Sequence, residues 1–183
     1  MEKPKDTELL VMLRDENQRR KAFDILVEQY SENLYWQIRK MVLSHDDAND
    51  ILQNTFLKSW MNIHQFRGDS KISTWLYRIA INETYTFINK EKQKNQSNFT
   101  DLEDVMVQNL EGDPWFSGDE AALKLQKAIL TLPDKQRLVF NMKYYNEMKY
   151  EEISEALGTS VGALKASYHY AVQKIEAYLA LEL

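Results

Sequence analysis

One stretch of the sequence carries side chains of the kinds that bind unpaired bases. Between residues 71 and 92, basic, amide and aromatic residues recur so that they lie within about 100° of one another on a helix: Lys71, Thr74, Arg78, Asn82, Tyr85, Asn89 and Lys92. Aromatic rings stack on base faces, and amides hydrogen-bond to exposed base edges. The pattern therefore indicates a surface for single-stranded nucleic acid, with an ordinary solvated helix face as the alternative.

The flanks of this stretch add two expectations. A short polar loop at residues 64–71 places an aromatic ring, Phe66, just before the polar face. The opposite face of the same helix is apolar, yet Glu83 falls in its middle. A carboxylate in such a place needs a cationic partner. We expect Glu83 to be paired, or else the assumed helical register is imperfect.

A second candidate for nucleic-acid binding lies at residues 150–165. The sequence predicts a short helix, a glycine turn at Gly158 and a second helix that begins near Ser160. Apolar residues at 153, 157, 161 and 164 would fix the angle between the two helices, and Ser154 is small enough for a close crossing. This arrangement is typical of a helix-turn-helix, although an ordinary helical hairpin with a glycine turn would give the same pattern.

Catalytic and metal-binding patterns are weak. His45, Asp46, Asp47 and Asp50 have ligand-type side chains, but acids at a helix start more often complement the helix end. The chain has no cysteine and three histidines, and it has neither a Glu-x-x-His pair nor a glycine-rich phosphate loop. We expect a protein that is not an enzyme and has neither a metal nor a cofactor.

The elements that position these residues are predicted to be helices alone. Apolar residues recur at three-and-four spacing between 23 and 41 and again between 52 and 63. Ser44 separates the two runs as an expected N-cap. Further helices are predicted from about 70 to 92 and at 121–132, 136–144, 150–157 and 160–178. Trp36, Trp60 and Trp75 lie on or beside apolar stripes and are expected in the core. If one of them is exposed instead, we expect it to be Trp75.

Composition divides the chain into two small helical domains. Residues 95–120 contain seven acids and no Lys or Arg, which is typical of a solvated linker. The expected domains are therefore 1–94 and 121–183, with 95–120 between them. The net charge of -5 does not favour simple electrostatic binding to DNA. No apolar run is long enough for a membrane span or a secretory leader, so we expect a cytoplasmic protein.

Two blocks of motifs together resemble extracytoplasmic-function sigma factors of the sigma-70 family. Residues 47–60 (DANDILQNTFLKSW), 66–70 (FRGDS) and 73–80 (STWLYRIA) are similar to the first conserved domain of that family. Residues 132–137 (LPDKQR) and the helix-turn-helix are similar to the second. The order of the blocks and the linker between them also match, and the resemblance covers most of the chain.

The resemblance implies a subunit that directs bacterial core RNA polymerase to promoters and assists their opening. It implies polymerase contacts at Asp47, Asp50, Gln53 and Asn54. It implies recognition of the minus-ten element by the loop and the following helix, at Phe66, Arg67, Lys71, Thr74, Trp75, Arg78, Asn82 and Tyr85. It implies recognition of the minus-thirty-five element in the major groove at Lys143, Ser160, Lys165, Ser167, His169 and Tyr170.

Some alternatives stay open. Family members often carry arginines where this chain has Ser167 and Tyr170, and a glutamate at the position of Asn54, which bears on promoter sequence more than on function. A stand-alone helix-turn-helix regulator and a protein-interaction adaptor are the rival functions. An anti-sigma partner is usual for the resembled family. In the free chain, the two domains are either independent or packed through the segment at Trp115 and Phe116, which would hide their DNA faces.

Overall fold

The computed structural model of the chain describes residues 6–97, 107, 110 and 119–181. Within these ranges all regular structure is helical. The expected all-α fold is confirmed. The helices are α1 (Asp6–Arg14), α2 (Arg19–Val42), α3 (His45–Asn62), α4 (Ile72–Ser97), α5 (Glu120–Leu130), α6 (Asp134–Tyr144), α7 (Tyr150–Leu157) and α8 (Val161–Leu181), with a 3-10 turn at Ile63–Gln65.

The first four helices form an N-terminal bundle around α2. Helix α2 packs against α1, α3 and α4, and α3 also packs against α4. The Ser44 side chain accepts a hydrogen bond from the Asp47 backbone N–H at 3.3 Å, so the predicted N-cap of α3 is confirmed. Glu83 is paired as well, because Lys58 on α3 donates to its carboxylate at 2.5 Å. The predicted helical register of α4 therefore holds.

The C-terminal helices α5 to α8 form a smaller bundle. Apolar residues of α5, α6, α8 and the turn between α5 and α6 make its own core: Ala128, Ile129, Leu132, Phe140, Ala171 and Ile175. Gly158 ends α7 with φ of 64°, the left-handed conformation that glycine adopts without steric cost. The turn between α7 and α8 is thus the one that the sequence predicts for a helix-turn-helix.

The two bundles are packed against each other. The largest hydrophobic cluster contains residues of both, with Leu138, Val139 and Met142 of α6 and Ile153 and Ala156 of α7 joined to the core of the N-terminal bundle. Helix α4 packs against α7, and α2 packs against α6. Contact through Trp115 and Phe116 lies outside the described residues, and the helices make the contact directly.

Two apolar residues in the middle of the expected linker pack against the bundles. Leu110 is 1% exposed and lies in a small cluster with Leu43 of the N-terminal bundle and Leu130 of α5. Val107 packs against the same cluster. Apolar side chains at these two positions therefore help to join the bundles. No helix in the described ranges is both long and apolar enough to cross a membrane.

Candidate nucleic-acid and partner-binding surfaces

The polar face of α4 is partly open and partly covered. Arg78, Asn82 and Asn89 are exposed. Thr74, in contrast, is 4% exposed, and Tyr85 is half-buried against the core. The structure thus keeps the basic and amide positions of the predicted face accessible and buries two of its other members.

The loop before α4 is held by the first helix. Arg14 of α1 donates a hydrogen bond to the backbone oxygen of Arg67 at 2.6 Å, and Gly68 follows with φ of 81°. The rings of Phe66 and Trp75 lie 5.1 Å apart at an angle of 32°. Phe66 is 8% exposed, so the ring pair offers little stacking surface in this arrangement.

Two lysines at either end of the α4 face bind carboxylates of the C-terminal bundle. Lys71 donates to Glu152 of α7 at 2.6 Å, and Lys92 donates to Asp134 of α6 at 2.6 Å. The hydrogen bond to Glu152 raises the pKa of Lys71. The pKa of Glu152 is lowered, first by Lys71 and then by the backbone N–H of Lys149. The Lys71–Glu152 pair is therefore ionised at neutral pH.

Tyr85 remains a neutral phenol at physiological pH. Burial raises its pKa to about 12, the nearby Asp134 adds to the rise, and Arg137 opposes it. The side chain lines a cavity of about 320 Å³ together with Leu138 of α6 and Ser167 of α8. A predicted minus-ten residue and a predicted minus-thirty-five residue therefore face the same cavity between the bundles.

The second helix of the helix-turn-helix presents an open polar face. The Ser160 side chain accepts a hydrogen bond from the backbone N–H of Ala163 at 3.3 Å and caps the start of α8. Lys165, His169 and Tyr170 are exposed along α8, whereas Ser167 is half-buried. Three of the predicted contact residues thus lie on the free surface of this helix.

A basic and aromatic cluster flanks the same surface. Lys143 donates to the backbone oxygen of Met148 at 3.1 Å, which holds its ammonium 5.2 Å from the centre of the Tyr150 ring. The Lys165 ammonium lies 5.7 Å from the same ring. Both lysines are therefore beside the start of α7, where positive charge suits a phosphate backbone.

One side of α3 combines polar and apolar exposure. Asp50, Gln53 and Asn54 are exposed, and Asp47 is half-buried in the first turn. The stripe continues at helical spacing into Leu57 and Met61, which are 61% and 69% exposed. Sequence reasoning missed these two, although their spacing from Asn54 places them on its face. A row of exposed apolar residues next to polar ones is typical of a protein interface.

Trp60 is more exposed than the sequence predicts. It was expected in the core, yet it is 42% exposed. Its ring packs edge-on against Phe23 at 5.0 Å, so one side is covered and the other faces solvent. Phe23, Gln53, Phe56, Leu57 and Trp60 line an open groove of about 370 Å³.

The histidine among the candidate metal ligands at the start of α3 has other partners. The two ring nitrogens of His45 hydrogen-bond to the Tyr35 hydroxyl at 2.8 Å and to the Asn49 amide at 3.0 Å. Among the residues that the structure describes, no group of three or more His, Cys, Asp or Glu side chains could hold a metal ion.

Two models of known protein families match the chain. Residues 26–94 match the family Sigma-70 region 2, and residues 122–175 match Sigma-70, region 4. The chain is 32% identical over 156 residues to the ECF RNA polymerase sigma factor SigW of Bacillus subtilis, with 81% of this chain and 83% of that protein covered. The chain belongs to the extracytoplasmic-function group of the sigma-70 family. As a sigma factor it directs promoter-specific transcription, and the stand-alone regulator is not favoured.

Other similarities extend over nearly the whole sigma factor. It is 25% identical to the ECF RNA polymerase sigma-E factor of Escherichia coli over 180 residues, which is 93% of each chain. Its fold is similar to the sigma factor RpoE of Bartonella quintana, solved with the anti-sigma factor NepR (TM-score 0.69, 22% identity, 89% of this chain and 99% of that chain). It is also similar to CnrH, solved with the cytosolic domain of CnrY (TM-score 0.71, 23% identity, 97% and 99%).

Proposed function

We propose that the sigma factor binds core RNA polymerase through the exposed side of α3. Asp47, Asp50, Gln53 and Asn54 would supply the polar contacts. Leu57 and Trp60, which line the groove beside Gln53, would add apolar area that polymerase covers. Polar residues would then set the orientation of binding, and the groove would supply most of its free energy.

The minus-ten element would be bound by the loop and α4. Trp75 would stack against an unpaired base, with the buried ring of Phe66 packed beside it, and Arg78 and Asn82 would contact base edges or phosphates. The observation that carries this assignment is the joint exposure of Arg78 and Asn82 one turn apart on α4. Four further residues complete the proposed surface: Arg67, Lys71, Thr74 and Tyr85.

The minus-thirty-five element would be read by α8 in the major groove. Lys165, His169 and Tyr170 are free to contact bases there, and Ser160 and Ser167 flank them. Lys143 is near the end of α6, and its ammonium lies beside the start of α7, where it would neutralise a phosphate. In this proposal the residues 1–94 act on the minus-ten element, 121–183 act on the minus-thirty-five element, and 95–120 join them.

Regulation by an anti-sigma protein is part of the same proposal. It is supported by the two structural relatives, both of which were solved as complexes: RpoE with the anti-sigma factor NepR, and CnrH with CnrY. The protein would work in the cytoplasm as a subunit of polymerase, with no catalytic site of its own.

The decisive experiment is reconstitution. The purified chain is mixed with bacterial core RNA polymerase, tested for co-elution, and then supplied with a random promoter library. Promoter-dependent transcripts are the expected result, and they reveal the promoter sequence. If no complex forms even at low salt, the polymerase-binding role is wrong.

Asn82 provides the residue-level test. Asn82→Ala is expected to leave polymerase binding intact and to reduce promoter opening about tenfold, because one base-edge contact contributes on the order of 1–3 kcal/mol. Asn33→Ala, at an exposed asparagine on α2 that belongs to no proposed binding surface, is the matched control and should transcribe normally. Equal opening by both variants on a selected promoter would remove Asn82 from the minus-ten surface.

A further inference from the structure

The contact between the bundles covers part of the surface that is proposed to bind DNA. Tyr85 of that surface faces the C-terminal bundle across the shared cavity, and Tyr77 on the same helix interacts with the Asn146 side chain. Burial raises the pKa of both phenols. In this arrangement α6 and α7 cover part of the α4 face, beside the exposed Arg78 and Asn82.

Carboxylates stand where phosphates would bind. The C-terminal bundle supplies two carboxylates, Glu152 and Asp134, to Lys71 and Lys92 at the ends of the α4 face, each at 2.6 Å. A phosphate oxygen would be bound by the same ammonium groups in the same way. The bundle therefore presents to α4 the charge that a nucleic-acid backbone would present.

The packed arrangement cannot contact both promoter elements. Elements at minus ten and minus thirty-five are separated by about 25 base pairs, or about 85 Å of duplex. A compact chain of this length has a radius of gyration of about 16 Å and is about 40 Å across. The bundles must separate before α4 and α8 bind their two elements together.

The interface also has the character of a contact that opens. Gln37 of α2 and Asn141 of α6 are 2% and 0% exposed, and Asn141 reaches across to the Met41 sulfur at 3.4 Å. Within the described residues, both amide atoms of Gln37 and the Asn141 oxygen have no hydrogen-bond partner. Buried amides without partners are unfavourable and become solvated on separation. The cavity of about 320 Å³ shows that packing beside Tyr85 is incomplete as well.

We infer that the free sigma factor is autoinhibited by its own C-terminal bundle, in which Glu152 and Asp134 act as intramolecular mimics of DNA phosphates on Lys71 and Lys92. The apolar contact between the bundles holds the closed form together, and the two exposed ion pairs bias it by a small amount. The inference rests on the proposed function for the identity of the covered surface. It does not depend on that function for the existence of the closed form.

The closed form is tested by distance. The chain has no cysteine, so Asn33→Cys in α2 and Ala177→Cys in α8, both at exposed positions, introduce two clean sites for spin labels. The free double variant is expected to show one narrow distance distribution below about 40 Å. A broad distribution, or one centred at longer distances, would overturn the inference before polymerase is added.

The role of Glu152 is tested by thiol reactivity. Asn141→Cys places a single thiol in the buried contact, where its reaction with a soluble disulfide reagent requires opening. In this background Glu152→Gln is expected to speed the reaction about twofold to fivefold, and it keeps a side chain that accepts from the Lys149 N–H. Glu151→Gln, an exposed acid on the same turn, is the matched control. Equal rates in the two variants would show that Glu152 does not hold the bundles together.

The two hypotheses fail in different ways. Distances and thiol rates are measured on the free chain, and they report on the closed form whether or not polymerase binds. Adding core polymerase and a selected promoter to the spin-labelled chain is expected to lengthen the distance by tens of ångströms. If polymerase and promoter bind and the short distance persists, autoinhibition by closure is wrong while the sigma function stands.

Discussion

Asn141→Leu is predicted to trap the sigma factor in the closed form. Asn141 of α6 is fully buried against α2. Its side-chain oxygen has no hydrogen-bond partner among the described residues, and its side-chain nitrogen makes one long contact to the Met41 sulfur. Removing an unpaired buried acceptor gains about 1–3 kcal/mol, and burying leucine adds about 1.5–3 kcal/mol. Fitting leucine into the space of the asparagine costs up to about 1.5 kcal/mol. Part of the gain from burying leucine is also already counted in the gain from removing the buried amide. A net 2 kcal/mol is a conservative expectation, or about a 30-fold shift towards closure.

Transcription at limiting polymerase measures this shift. If only the open form engages promoters, apparent activity falls as the open fraction falls, because affinity scales with the competent population. We expect run-off transcription by Asn141→Leu to need about 30-fold more protein, and its melting temperature to rise. Asn33→Leu makes the same substitution at an exposed site on α2 and should leave transcription unchanged.

A second variant separates closure from a local effect. Gln37→Leu alters the other side of the same contact, in the N-terminal bundle, and is expected to reduce transcription in the same direction. If Asn141→Leu transcribes at the wild-type level, or if the two leucine variants act in opposite directions, the buried amides do not control opening.

Two other predictions concern DNA binding and pH. Lys165→Ala should weaken promoter binding by about 1 kcal/mol, or about fivefold, in a footprinting titration of holoenzyme. Lys21→Ala, at an exposed lysine on α2, should not, and equal losses would move the recognition surface. Burial raises the pKa of both Tyr85 and Tyr145 to about 12, so their contribution to folding is fully present below pH 10 and is lost as pH rises towards 12. The urea midpoint should fall between pH 10.5 and 12, above the range from about 8 to 10.5 in which the lowered pKa of Lys40 adds stability. A urea midpoint that stays constant or rises between pH 10.5 and 12 would contradict this role of the two tyrosines.

Local features were predictable because short-range rules set them. The Ser44 cap, the left-handed Gly158 and the helical spacing of α4 each depend on a few neighbouring residues. The resemblance to sigma factors was visible because two motif blocks in a fixed order are far more specific than either alone. Glu83 looked out of place on the apolar face only because its partner Lys58 lies on another helix.

The relation between the bundles was not predictable from helix faces. Helix α4 is buried on two sides, against α2 and α3 and against α7, so its apparently single polar face is divided. Thr74 and Tyr85 look polar on a helical wheel and lie in or beside packed regions. The exposure of Trp60, Leu57 and Met61 has the same cause, because an apolar side chain reserved for a partner has the spacing of a core residue.

The closed form also reconciles the acidic composition with a function in DNA binding. A net charge of -5 would weaken the approach to phosphates if the charges were spread evenly. In the closed form, two acids of the C-terminal bundle instead form ion pairs with two lysines of α4. When the bundles separate along a promoter by about 85 Å, those acids lie many Debye lengths from α4, because the Debye length is about 10 Å at moderate salt. Their charge then has little effect on α4. Separation therefore makes the α4 face, on which Arg78 is already exposed, more positive, without any change in the total charge of the chain.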